Sequence, residues 1–390
     1  MKTDRKLKMG MVGGGSGAFI GGIHRMASQL DGQIELVCGV FSSDADKSIA
    51  FGKEIYLNDD RLYRTFDEMM ASEARRSEEE RMDFVSIVTQ NNMHFAPAMS
   101  ALDHGFPVII DKPLCFTMDE AKQLRAKVKT TGLPFGLTYT YAYYPMLIQA
   151  KAMVKNHEIG KVRKIMVEYP QGWLSDKLED TGQKQAAWRS DPQKAGISNC
   201  FGDIGTHCGH LAEYISGLKI TEVLAELNAF VPGRTLDDDA DVFFRMEQQA
   251  QGVISASQVA HGDENNLKFR IYGEAGALEW SNTDHNTLLV KKQGAPTQIY
   301  RTGVDHSYLH EETRLNMRTP SGHPEGYIEA FANIYRNFSD HVRQFKIHSS
   351  PDLRGTYPNI DDGFKGMALV SAVVASSANG NIWTKIKDKS

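Results

Sequence analysis

Lys8-Met9-Gly10-Met11-Val12-Gly13-Gly14-Gly15-Ser16-Gly17-Ala18 sets a short apolar run directly against a glycine-rich turn. Beyond it the chain reads as an amphipathic helix to about Leu30. A glycine turn between a strand and a helix lets the backbone approach a pyrophosphate. The helix N-terminus then favours the negative charge. Gly13-x-Gly15-x-x-Ala18 fits the dinucleotide fingerprint with alanine last, and a longer loop would make Gly21 the third glycine. The bland alternative is a flexible loop, against which the strand before and the helix after both argue.

Working outward, Ile34–Phe41 is a continuous apolar run of the kind buried on both faces of a parallel sheet. Asp44–Gly52 reads as a helix with an acidic first turn, and Ala71–Arg81 as a solvated, charged helix face. Asp83–Thr89, Val108–Ile110 and Phe135–Tyr139 supply three more strands, separated by helices at His94–His104 and Thr117–Thr131. Strands alternating with helices predict a doubly wound parallel sheet, here an N-terminal Rossmann domain over residues 1–138.

After Thr138 the pattern changes. A helix near Tyr144–Asn156 and a strand at Val162–Gln171 precede strand-like runs at Val223–Phe230, Ala240–Met246, Gly252–Val259, Leu267–Tyr272 and Ala277–Trp280. Turns rather than helices join those runs, which predicts a large, mostly antiparallel open sheet. Helices return at Pro324–Lys346 and Ile360–Ser377. Residues 139–390 are therefore expected to form an α+β domain for substrate binding and oligomerisation.

Composition narrows the function classes. With 390 residues, 41% hydrophobic and 24% charged, the chain suits a two-domain globular protein. A net charge of −5 gives no basic face for nucleic acid. No stretch approaches the roughly 20 apolar residues of a membrane span. Met1–Lys8 lacks the apolar core of a signal peptide, and Cys38, Cys115, Cys200 and Cys208 form no disulfide framework. A cytoplasmic protein with reduced thiols is expected.

The second strand ends Val40-Phe41-Ser42-Ser43, and its first acid is Asp44. A strand-end carboxylate normally binds the ribose of NAD, and an arginine accommodates the phosphate of NADP. Neither stands there. Ser42 and Ser43 can bond a ribose hydroxyl, so NAD is the first choice and NADP stays open.

Two further segments carry chemistry, Asp111-Lys112-Pro113 and Asp203-Ile204-Gly205-Thr206-His207. Lys112 follows a strand, at the edge where open α/β sheets bind ligands. An ammonium there polarises a hydroxyl and stabilises developing alkoxide. Asp203 and His207 share one face of a helical turn, and histidine titrates near neutral pH, which suits proton transfer. With the glycine turn, these residues read as a nicotinamide-dependent alcohol or sugar dehydrogenase. The bland readings are a salt-bridged surface lysine and a capping aspartate beside a structural histidine. His207 and His210 also suggest a metal, but two histidines without a third ligand make a poor site, so none is expected.

Taken in order, Gly13–His24, Thr89-Gln90-Asn91-Asn92-Met93-His94, Asp111-Lys112-Pro113 and Gly202–His207 resemble the motifs of the glucose–fructose oxidoreductase / inositol dehydrogenase / MocA (Gfo/Idh/MocA) family. Asp111 stands where that family usually has glutamate. The resemblance is to its long sugar and glycoside dehydrogenase branch. It implies His207 as general base, Asp203 as its orienting partner and Lys112 beside the substrate hydroxyl. It implies cofactor contacts at Gly13, Gly15, Ser16, Gly17, Ala18, Phe19, Ile20, Ser42, Ser43, Thr89, Asn91, Asn92, His94, Asp111 and Lys112. Tyr141, Trp173, Trp188, Arg189 and Asn199 are candidates for substrate binding along with Lys112, Asp203 and His207. Trp173, Trp188, Arg189 and Asn199 lie on the long irregular stretch Gly172–Phe201. Tyr143, His210, His323, Glu325 and Tyr327 are further candidates for the same pocket. A homodimer or homotetramer through the open sheet follows from the same resemblance. The alternatives are a keto-sugar or dihydrodiol-type reductase, or a non-catalytic nucleotide-binding sensor.

Overall fold

The computed structural model describes residues 5–347 and 356–387, so Met1–Asp4 of the polar N-terminal stretch lie outside the described residues. The chain divides into two compact units, Met1–Tyr139 with Phe331–Phe364, and Thr140–Ala330 with Lys365–Ser390.

The first unit holds a five-stranded sheet in the order β2-β1-β3-β4-β5. Its strands are β1 Leu7–Gly13, β2 Ile34–Val40, β3 Phe84–Val88, β4 Val108–Ile110 and β5 Phe135–Leu137. Every pairing is parallel. Helices α1 Phe19–Gln29, α2 Ala45–Glu54, α3 Phe66–Arg75, α4 Phe95–Asp103 and α5 Met118–Thr131 alternate with the strands. The doubly wound Rossmann fold is therefore as the alternation predicts. Local chemistry sets the helix starts: Thr117 and Glu120 close a reciprocal capping box on α5. The order reverses between β1 and β3, which is the point where such sheets open a crevice at their carboxyl ends.

Two expectations change here. The run Ala71–Arg81 is not simply a solvated face. Glu73 lies at 0% exposure and accepts from both Arg61 (Nη2, 2.5 Å) and the Tyr63 hydroxyl (2.8 Å). Moreover, residues 331–364 group with this unit rather than with the second. Tyr335 places its hydroxyl 2.7 Å from His24 Nδ1 and 2.8 Å from Ser86 Oγ, and the Phe338 ring meets Phe84 edge-on. Asn359 bridges Gly136 beside β5. Tyr335, Phe338 and Asn359 thus pack against α1, β3 and β5 of this unit. The segment lies far along the chain, so the order of elements alone could not place it.

The second unit begins with α6 Pro145–Lys155 and is built on a nine-stranded sheet. Its strands are β6 Val162–Pro170, β7 Ile220–Asn228, β8 Asp239–Met246, β9 Gln251–Ser257, β10 Lys268–Gly273, β11 Gly276–Ser281, β12 Thr287–Lys292, β13 Gln298–Arg301 and β14 Thr384–Lys385. They run β13-β12-β11-β10-β6-β9-β8-β7-β14, all antiparallel except the β6–β9 pair. Strands β12, β13 and β14 carried no clear sequence signal, being short, edge-lying or half-polar.

The stretch Gly172–Phe201 is less irregular than expected, containing α7 Lys184–Arg189 and α8 Pro192–Ala195. Cys200 leads into a π turn at Phe201–Gly205, then α9 Thr206–Ser216. Later in the described residues come α10 Glu311–Leu315, α11 Tyr327–Lys346 and α12 Ile360–Ala378.

Candidate active site

In the first unit the sheet's carboxyl edge gathers the motif residues. Gly13, Gly14 and Gly17 take left-handed backbone angles (φ 90°, 73° and 74°) that favour glycine. A Cβ on Gly15 would lie 2.4 Å from the Phe41 carbonyl oxygen, so the turn packs flush against the end of β2. Gly21 plays the close-packing part: a Cβ there would lie 2.3 Å from the Cα of Gly14. Arg25 reaches back and donates to the Gly14 carbonyl at 2.7 Å. Ser16, Gly17 and Phe19 are exposed, Ile20 is half-buried, and Ala18 caps α1. This cradle, which any Cβ would fill, fits a dinucleotide pyrophosphate.

At the end of β2, Ser42 Oγ accepts from the Asp44 amide at 3.1 Å, and Ser43 is exposed. The Asp44 carboxylate accepts from the amides of Asp46 and Lys47, which caps α2. Those hydrogen bonds, the one from the Lys47 amide foremost, hold it below the usual carboxylate range. The first acid after β2 is thus committed to its own helix. Asp44→Ala is expected to lower the thermal unfolding midpoint while leaving NADH affinity, read by fluorescence titration, unchanged. A clear loss of affinity without loss of stability would make Asp44 a ribose ligand instead.

Next along the edge, Thr89 Oγ1 donates to the Met93 carbonyl at 2.9 Å, which closes the turn carrying Asn91 and Asn92. His94 is fully buried, with Nδ1 2.8 Å from the Pro113 carbonyl and Nε2 3.1 Å from that of Thr89. Its ring is therefore spent on tying these two loops together. Burial lowers its pKa against the opposing pull of those two carbonyls. Asp111 Oδ1 accepts from Thr138 Oγ1 (2.7 Å) and from the Lys112 amide (2.9 Å), and the Lys112–Pro113 peptide is cis. Half-buried Lys112 thus leaves β4 on a segment fixed from both sides.

In the second unit, Asp203 lies in the π turn and His207 in the first turn of α9. Single π turns inside helices recur at functional sites. Two donors converge on one carboxylate oxygen of Asp203: Arg189 Nε at 3.2 Å and Gln258 Nε2 at 2.9 Å. The turn itself is anchored by buried Asp237, which accepts from Ser198 Oγ and from the amides of Asn199 and Phe201. His207 is buried at 7% exposure, and its ring meets Tyr141 edge-on at 4.9 Å.

From Tyr141 a chain of side-chain hydrogen bonds runs outward. Tyr169 donates to Tyr141 at 2.5 Å, Asn265 Nδ2 donates to Tyr141 at 3.0 Å, and Gln171 Nε2 donates to Asn265 Oδ1 at 2.7 Å. Trp173 Nε1 closes it on Gln171 Oε1 at 3.1 Å. The Arg189 guanidinium lies over Trp188 at 4.3 Å and over Trp173 at 5.9 Å. Burial pushes the Tyr141 and Tyr169 phenols upward, so both remain protonated donors at neutral pH. Asn199 is 2% exposed, and both its amide oxygen and its amide nitrogen lack hydrogen-bond partners.

Asp203, His207, Arg189, Trp173, Trp188 and Tyr141 are therefore joined by contacts within one unit. Of the further candidates, Tyr327 meets the Tyr141 ring at 6.0 Å, and the rest make contacts elsewhere. Glu325 accepts from the amides of Arg318 and Thr319, Tyr143 packs on Tyr214, and His210 stacks on Tyr214. His323 sits on an exposed turn. Among the described residues no group of three or more His, Cys, Asp or Glu is arranged to hold a metal.

Residues 7–139 match the oxidoreductase family with an NAD-binding Rossmann fold, and residues 147–279 match the GFO/IDH/MocA C-terminal domain. The chain belongs to the Gfo/Idh/MocA oxidoreductase family. It is 32% identical to the uncharacterised oxidoreductase YfiI of Bacillus subtilis, covering 98% of each chain. Among solved structures, an inositol dehydrogenase homologue from Azotobacter vinelandii in complex with NAD+ is 33% identical over 98% of each chain, with a TM-score of 0.92. An oxidoreductase from Sinorhizobium meliloti is 39% identical, with a TM-score of 0.86, over 98% of this chain and all of that one (100%).

Several polar residues of this Gfo/Idh/MocA site escaped the sequence reading: Gln171, Gln258, Asn265 and Tyr169. Tyr169 sits on β6, where a polar residue passes as ordinary alternation, while Gln171 and Gln258 lie just past strand ends and Asn265 in a loop. Gln258 did leave a signal, because it continues the inward phase of Gly252, Ile254 and Ala256. An amide at an apolar phase is the informative exception.

Proposed function

We propose that this chain is an NAD-dependent dehydrogenase that reversibly oxidises a secondary hydroxyl of a sugar, glycoside or cyclic polyol. The single observation that carries the reading is the Asp203–His207 turn. There a buried imidazole, one turn from a carboxylate held by Arg189 and Gln258, lies beside a wall of tyrosine, tryptophan and amide groups. Such a wall suits a sugar ring: aromatic faces take its C–H surfaces, while amides and arginine bond its hydroxyls. The names of relatives support the substrate class. The Azotobacter vinelandii homologue is described in complex with NADH and myo-inositol, a levoglucosan dehydrogenase is 27% identical over 57% of this chain, and a scyllo-inositol 2-dehydrogenase is 26% identical over 62%.

In this reading His207 accepts the hydroxyl proton at an imidazole nitrogen, and Asp203 fixes the ring and offsets its gained charge. Lys112 polarises the hydroxyl oxygen as it becomes alkoxide. The nicotinamide, when bound, supplies the redox chemistry by taking the hydride from the same carbon. Its holders are the Gly13–Ile20 turn, Ser42 and Ser43 for the ribose, and the segments Thr89–His94 and Asp111–Lys112. Asn199, with two unsatisfied buried amide atoms, is the residue best prepared to meet a substrate hydroxyl. A homodimer or homotetramer through the second sheet is part of the proposal, supported by Phe243, 53% exposed on the outward face of β8.

The test is reduction of NAD+ and, separately, NADP+ by the purified protein against pyranoses, glycosides, anhydrosugars and inositols. Turnover with NAD+ on at least one of these is the expected result, with NADP+ tolerated because Asp44 is engaged as a cap. NADH binding without turnover in either direction would instead support a nucleotide-binding sensor.

A further inference from the structure

Gln258 follows the last residue of β9 and is 0% exposed. Its backbone is fixed on both sides: the amide donates to the Asp238 carbonyl at 2.9 Å, and the carbonyl accepts from Leu174 at 3.0 Å. The side chain is thereby aimed at Asp203, to which Nε2 donates at 2.9 Å. Its other end gains nothing, for Oε1 is buried without a hydrogen-bond partner. An unpaired buried acceptor is destabilising, and a leucine or methionine in the same inward phase would avoid it. The amide is therefore out of place as packing, and its one satisfied contact is with the carboxylate of the proposed site.

We infer that Gln258 is a positioning residue that holds the Asp203 carboxylate in place for proton transfer at His207. The inference rests on the dehydrogenase reading above and adds a residue to it. Arg189 and Gln258 bond the same oxygen, Oδ2, from different elements, α7 and the end of β9. A carboxylate pinned at one oxygen by two donors keeps a fixed plane, which the Arg189 contact alone, on a longer and half-buried side chain, does not ensure. The amide also supplies its hydrogen bond without adding a charge, so the carboxylate keeps its negative field toward the imidazole.

The experiment compares wild type, Gln258→Leu, Gln258→Glu and the exposed-site control Gln251→Ala. Each is assayed for kcat, KM and unfolding midpoint, with kcat followed across pH. Gln258→Leu removes the donor together with the orphaned acceptor. Its kcat is expected to fall about tenfold, with KM within about twofold and the midpoint at or above that of wild type.

Gln258→Glu preserves shape and restores a donor only while it shares a proton with Asp203. Two adjacent carboxylates cannot both ionise cheaply. The ratio of its kcat to that of wild type is therefore expected to be highest at acid pH and to fall as pH rises. The other titratable groups around Asp203 in this unit are Arg189, Tyr141, Tyr169, Cys200 and His207, with Asp237 and Asp239 at the start of β8. All are common to both proteins, so they cancel in the ratio. Wild-type kcat in Gln258→Leu, or a ratio flat across pH, would overturn the inference. Failure of the wild-type protein to turn over any substrate would instead overturn the dehydrogenase reading on which it rests.

Discussion

His207→Ala is expected to reduce kcat for polyol oxidation by about 10²–10⁴, the range for losing a positioned general base. Dinucleotide affinity should stay within about twofold, because the cofactor cradle lies in the other compact unit. The ring is buried against Tyr141, and removing it opens a space next to a phenol already engaged by Tyr169 and Asn265. His207→Asn, closer in shape and still polar, should be as inactive as the alanine variant. A fall of less than about fivefold in both would show that another group takes the proton. Single-turnover NADH formation is the measurement, since it separates chemistry from product release.

How much of this site could be read from the chain varies with the kind of signal. The glycine turn, Lys112 and the Asp203–His207 pair were legible because local sequence dictates them. A turn that demands positive φ selects glycine, and a four-residue spacing puts two side chains on one face. The partners of these residues were not legible. Gln258 and Arg189 meet at Asp203 from positions widely separated in sequence, and only the tertiary fold brings them together. Tyr169, Gln171 and Asn265 form their network through strand register and loop position, which single-sequence patterns do not carry. Asp44 illustrates the converse. The sequence places it at the acidic opening of a helix rather than at the strand end, and there its carboxylate caps α2.

The fold was more legible than the site, and its failures share a cause. Continuous apolar strands such as Ile34–Val40 announce a parallel sheet, because helices cover both faces. The edge strands β13 and β14, and β12 next to the edge, are short or half-exposed, so their pattern blurs into turns. Residues 331–364 defeat the expectation of a single boundary near residue 138. An amphipathic helix shows which face is apolar without showing which sheet it will cover.

Glu73→Ala tests the place where the charge pattern misled most, and it is expected to destabilise the protein by about 3–5 kcal/mol. Glu73 sits amid Ala71–Arg81, a run whose composition reads as water-facing, yet its carboxylate is fully buried. It accepts from Arg61 Nε and Nη2, from the Tyr63 hydroxyl and from the Met82 amide. Those groups join the loop beside β2 to the strand entrance at Met82, so the carboxylate braces that side of the parallel sheet. Deleting it leaves a buried guanidinium, a hydroxyl and an amide without their acceptor, and the cost of those orphans exceeds the value of the pair itself. The same reasoning gives the control. Replacing both partners with apolar residues, Arg61→Met with Glu73→Leu, removes the two charges together and should recover most of the loss. Denaturant unfolding of the single and double variants measures the difference. A single variant within about 1 kcal/mol of wild type would mean that water reaches the cluster and the carboxylate braces nothing.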